Sequence, residues 1–134
     1  MGKLWAVIIS CLFYGLVHAT NPNAGVLSST IIVLFGYLRL YGYLGTSQLW
    51  LSMGMHAAWN FFQGPVFGFA ASGFETRTIL IHSPVGPDLL TGGDFGPEGS
   101  VITIPIVLLA LVAMRWWSPD QPKVPYPELR RSAN

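Results

Sequence analysis

Four side chains stand out in a sequence that is otherwise almost wholly apolar: Tyr14 with His18, and His56 with Asn60. Each pair is spaced by four residues, which is about 400° of helical rotation, so its members project from one face roughly 6 Å apart along the axis. Two helices bearing these pairs and facing each other would bring two imidazoles and a carboxamide toward one point. Neutral imidazoles suit divalent metal binding or the orientation of a water, and an amide donor suits a developing oxyanion. The structural reading of the same residues is that His18 caps its helix, His56 bonds a neighbour and Asn60 ties helices together.

The elements that must position these side chains follow from the charges. Leu4 to Leu38 and Leu40 to Phe74 are uncharged and separated only by Arg39. A single helix of about 35 residues would be about 52 Å long, far beyond a hydrocarbon core of roughly 30 Å. Each stretch must therefore be broken, and the breakers are Asn21-Pro22-Asn23-Ala24-Gly25 and Tyr41-Gly42-Tyr43-Leu44-Gly45-Thr46. This spacing predicts an all-α, polytopic membrane helix bundle of about four transmembrane helices within residues 1–117. The helices are expected near Leu4–Ala19, Gly25–Tyr43, Gln48–Ala71 and Ser100–Trp117, with a Gly- and Pro-rich extracytoplasmic loop over Ser72–Gly99. In such a serpentine His18 lies near the outer end of the first helix and His56 only about 12 Å into the third. The two histidines would then differ in depth, unless the first helix tilts or its following turn dips into the bundle.

Composition narrows the function classes. Of the 134 residues 51% are hydrophobic and only 10% charged, against roughly a quarter charged in a soluble domain, so neither a water-soluble globule nor a disordered chain fits. A net charge of +1 offers no basic surface for nucleic acid. Cys11 is the single cysteine and sits in an apolar run, as a buried small hydrophobe would. The N-terminal apolar region is too long for a signal peptide, and Ala6 replaces the hydroxyl residue of a myristoylation pattern. In the serpentine, Lys3, Arg39, Arg115, Lys123, Arg130 and Arg131 fall on one side and Arg77 on the other, which predicts N-in and C-in in the plasma membrane. Residues 118–134 repeat proline too often for a helix and are expected to form an extended cytoplasmic tail.

Taken together, Phe13-Tyr14-Gly15-Leu16-Val17-His18 followed by Asn21-Pro22, and Met55-His56-Ala57-Ala58-Trp59-Asn60, resemble the second and third motifs of the CPBP (Abi) intramembrane metalloprotease family. That family includes the type II CAAX prenyl endopeptidases. Its second motif is Phe-x-x-x-His, here with Tyr14 in place of Phe, and its third is His-x-x-x-Asn or Asp. The glycine-rich segment from Gly86 to Gly99 also looks like a loop of bacterial members. The resemblance implies a metallo-endopeptidase in which His18 and His56 bind a divalent metal, zinc, or orient the water, and Asn60 stabilises the oxyanion. Tyr14 is read as aromatic packing. A first motif, Glu-Glu-x-x-x-Arg, is missing, because no glutamate precedes Glu75, and the loop residues Glu75 and Glu98 are not given its role. The expectation is thus an incomplete copy, inactive alone, whose partners are membrane lipid, a peptide or protein substrate, and a missing N-terminal helical segment or another copy. A non-catalytic adaptor or immunity-type protein, or a His-ligated metal or haem subunit, is the alternative.

Overall fold

Ser28 sets the start of the helix around which the others pack. In the computed structural model, which describes residues 2–81 and 84–117, the Gly25 amide donates to Ser28 Oγ at 2.8 Å. Ser28 Oγ in turn donates to the Gly25 carbonyl at 3.0 Å, so polar groups left over at the helix start are met locally. From this cap α2 runs over Val26–Thr46, preceded by α1 at Lys3–His18 and followed by α3 at Leu49–Phe61. Ser47, in the left-handed conformation with φ 56°, ends α2 and turns the chain into α3. A short α4 at Asp88–Thr91 and the last helix, α5 at Thr103–Trp117, complete the fold. The described residues are all-helical apart from turns, loops and one isolated bridge between Ala71 and Phe74.

Helix α2 touches α1, α3 and α5. Its Ile31 and Ile32 are 0% and 1% exposed, and Leu38 meets Val107 and Met114 of α5 in a cluster that Leu51 and Met55 of α3 complete. Close approach of α1 and α2 depends on Gly15, where an added Cβ would lie 2.3 Å from Val33 Cγ2. Small residues at such crossings let helices associate by van der Waals contact. Gly15→Leu is expected to cost roughly 2 kcal/mol or more by overpacking. Thermal unfolding in detergent checks this, and an unchanged midpoint would contradict the crossing.

Among the described residues one helix, Val26–Thr46, is long and apolar enough to cross a membrane, while Leu4–His18 and Thr103–Trp117 are shorter apolar helices. The outward faces are nonetheless apolar: Leu4, Leu12, Phe13 and Leu16 of α1 and Leu108, Leu109 and Trp116 of α5 are all exposed. Patches of that kind mark a surface that meets lipid or another protein.

Three expectations come out differently, the first being the break at Tyr41–Thr46, which stays helical within α2 as far as Ser47. The third helix does not continue to Ala71: it closes in a π-helical turn at Phe62–Val66. Pro65 lies inside that turn and lacks an N–H to continue the ladder, and Gly68 then reverses the chain at φ 77°. Arg39, counted as a flanking charge, lies well inside α2 and is half-buried rather than in a loop. It therefore drops out of the orientation argument. The tail at 118–134, with Lys123, Arg130 and Arg131, lies outside the described residues.

Candidate active site

Arg39 and His56 occupy equivalent depths because α2 and α3 are antiparallel neighbours: Arg39 is seven residues before Thr46, and His56 seven after Leu49. Ser52 Oγ fixes the register by donating to the Arg39 carbonyl at 2.6 Å. Across this pairing Arg39 Nη1 lies 2.7 Å from His56 Nδ1. On the other side of the ring, His56 Nε2 is 3.3 Å from the amide of Asn60, one turn further along α3. The spacing that places His56 and Asn60 on one face thus also makes them bond.

His18 reaches this centre through two intermediaries. Its ring stacks on Tyr14 at 4.2 Å, and its Nδ1 is 2.8 Å from the Tyr14 carbonyl. The Tyr14 ring carries the Arg39 guanidinium 3.8 Å from its centroid, a cation–π contact that suits an otherwise unneutralised charge among apolar helices. Gly36 makes room for Tyr14, with the Tyr14 ring 3.3 Å from where a Cβ would stand. The polar column therefore descends from His18 through Tyr14 to Arg39 and His56. Tyr14 and Arg39 span the depth between the histidines.

The loop after α3 adds a carboxyl group. Gly96 takes φ 92°, and a Cβ there would sit 1.9 Å from the Ala70 carbonyl, so only glycine lets the two loop segments meet this closely. Gly73 N donates to Phe95 O at 3.0 Å, and Asn21 Nδ2 reaches Ser72 O at 2.9 Å, fastening the first turn to the same layer. This seats Glu98, 3% exposed, where its Oε1 accepts from Trp59 Nε1 at 3.1 Å and its Oε2 from Ser72 Oγ at 2.5 Å. A cavity of about 530 Å³ lies alongside, lined by apolar side chains from α2, α3 and α5 together with Tyr14, Arg39, His56 and Glu98. Its size is that of a small-ligand site. Neither His18 nor Asn60 is among the lining residues.

Of the residues singled out from sequence, His56 and Asn60 are brought into direct contact, and His18 joins them only through Tyr14 and Arg39. Two further members, Arg39 and Glu98, were assigned to topology and to a loop. The signal for Arg39 was present, since an ionisable residue inside a long uncharged stretch is by default a site residue.

These residues do not fit the divalent ion expected between His18 and His56. His56 Nδ1 faces a guanidinium, which has only N–H groups to offer, and Nε2 faces Asn60. His18 Nδ1 faces a carbonyl, and among the described residues no three His, Cys, Asp or Glu side chains gather as a metal-holding group. What the arrangement does offer is a chain of hydrogen-bonding groups along one wall of an apolar cavity. Such a wall can hold a polar group of an otherwise apolar ligand.

A family model described as type II CAAX prenyl endopeptidase Rce1-like matches residues 1–62. The matched stretch includes Tyr14, His18, Arg39, His56 and Asn60 and stops short of Glu98. No curated protein and no solved structure matches the chain.

Proposed function

We propose, from the membership of the CPBP/CAAX protease family that the match over residues 1–62 supports, that this chain carries the substrate-holding side of a CAAX-type intramembrane endopeptidase. The observation that carries the reading is the Arg39–His56–Asn60 series beside an apolar cavity in a protein whose outer helical faces are themselves apolar. An apolar stretch of substrate fills the cavity, and its scissile carbonyl meets the polar wall that Arg39 and His56 form there. Donors fixed in advance against charge that develops on a carbonyl oxygen lower the barrier without reorganisation. Cavity walls from Phe35, Phe62 and Val107 keep bulk water away from that contact.

Hydrolysis also needs a base for the water. Glu98 lines the cavity and, with one bond accepted at each oxygen, from Trp59 and from Ser72, it ties the loop. In this reading the chain binds a membrane-embedded peptide and does not turn it over. The alternative, a non-catalytic membrane protein of adaptor or immunity type, draws on the same engaged carboxyl group. Binding of a fluorescent apolar peptide to the purified protein in detergent, lost in Met55→Trp, tests the cavity; binding unaffected by filling the cavity would remove this reading.

The bundle spans the membrane with both ends of α2 at the interfaces, the turn at 19–25 and the loop at 72–99 outside, and the N-terminus and C-terminus inside. Reporter fusions at Gly92 and Asn134 are expected on opposite faces, Gly92 outside. Both on one face would contradict the four-span arrangement.

A further inference from the structure

The hydrogen bond between Arg39 and His56 has only one chemically consistent direction. A guanidinium donates and cannot accept, so with Arg39 Nη1 at 2.7 Å the His56 Nδ1 must present its lone pair. An imidazole with its lone pair on Nδ1 carries its proton on Nε2. That nitrogen is therefore a donor, and the group 3.3 Å away on Asn60 must accept. The two ends of a carboxamide are set by the bonds they make. Asn60 Oδ1 belongs against His56 Nε2–H, and Nδ2 occupies the other position, which is buried and without a hydrogen-bond partner.

From this we infer that Arg39 is a positioning residue. Through its bond to Nδ1 it holds His56 in the Nε2–H tautomer, and His56 in turn orients the Asn60 carboxamide, whose N–H group takes the buried, unpartnered position. The same chain of bonds removes His56 from any metal-ligand set, because neither ring nitrogen retains a free lone pair. Tyr14 supports the arrangement from the far side by carrying the guanidinium at 3.8 Å, and Arg39 Nε donates to the Phe35 carbonyl at 3.4 Å, which fixes the plane of the fork. No carboxylate is needed to seat this cation: the ring face, the carbonyl and the imidazole lone pair suffice. The inference deepens the peptidase reading, and it rests on that reading only for the use of Arg39 and His56 as the polar wall of the substrate cavity.

The test reads the tautomer without substrate, so its outcome is separate from whether the protein cleaves anything. The full chain, labelled with 15N-histidine and held in detergent micelles, is examined by long-range 1H–15N NMR, with His56→Gln assigning the signals. His56 is expected to show a lone-pair Nδ1 and a protonated Nε2, with the Nε2–H form in about tenfold excess or more, as a charge-assisted bond supports. Arg39→Met is expected to give mixed tautomers, Arg39→Lys to restore the Nε2–H form, and added Zn2+ to leave the wild-type His56 signals in place. A proton on Nδ1 in the wild-type protein, tautomers unchanged in Arg39→Met, or His56 signals displaced by Zn2+ would each overturn the inference. The wild-type spectrum decides even where Arg39→Met fails to fold.

Discussion

A version of the protein carrying a Glu-Glu-x-x-x-Arg helix ahead of Met1 is expected to cleave a membrane-embedded peptide, while the 134-residue chain binds the peptide and leaves it intact. The difference is a base. The cavity wall at Arg39 and His56 can hold a carbonyl, but no described carboxyl group stands free beside it, and general-base help is typically worth about 10²–10⁴ in rate. Within the lengthened form, His56→Ala is expected to lower kcat by about 10²–10³ and to change KM little, because an oxyanion donor acts on the transition state more than on the bound substrate. Asn60→Ala should match it, and the double variant should cost little more than either, since both substitutions disable one donor. Cleavage assayed in detergent checks all four proteins. Turnover by the 134-residue chain that disappears in His56→Ala would show that a Glu-Glu-x-x-x-Arg motif is dispensable. Loss of that turnover in Glu98→Gln would then give Glu98 the part of the base.

The pairing of His56 with Asn60 was legible because a spacing of four on a helix fixes a shared face whatever the helix packs against. So was the break at Asn21–Gly25, whereas the expected breaker Tyr41–Thr46 is helical throughout and the chain turns only at Ser47. What sequence spacing does not carry is register between helices. The partner of His56 is chosen by the way α3 folds back on α2, which Ser52 and the turn at Ser47 set, and nothing along either helix announces it. Along the sequence Arg39 is therefore visible as a charge and not as a donor with a target. Straight helices put the two imidazoles at different depths, and their convergence is implied by the motif resemblance alone. Tyr14 and Arg39 fill the interval that this geometry leaves. Glu98 is the hardest case: it follows a run of glycines whose left-handed turns at Gly92, Gly93 and Gly96 carry the chain back over the end of α3. That path depends on close contacts with residues more than twenty positions earlier, such as Ala70 and Ser72.

Removing the Glu98 side chain is expected to destabilise the protein markedly. Glu98→Ala would leave the Trp59 N–H and the Ser72 hydroxyl without their shared acceptor. Each half-buried donor stranded in this way costs about 1–3 kcal/mol, so roughly 3 kcal/mol is expected for the pair. Glu98→Gln keeps one carbonyl oxygen of the same shape and should cost only about 1 kcal/mol. The loss is expected at the end of α3 first, because Trp59 precedes Asn60 and its indole also packs on Phe35 of α2 with ring centroids 5.0 Å apart. Freeing the indole therefore loosens the wall that presents Asn60, and peptide affinity should fall together with stability. Thermal unfolding followed by tryptophan fluorescence, with peptide binding measured on the same samples, separates the variants. Equal midpoints for Glu98→Ala and the wild-type protein would mean that the loop is held by its glycine turns and backbone bonds alone, and that the buried carboxyl group is free for another task.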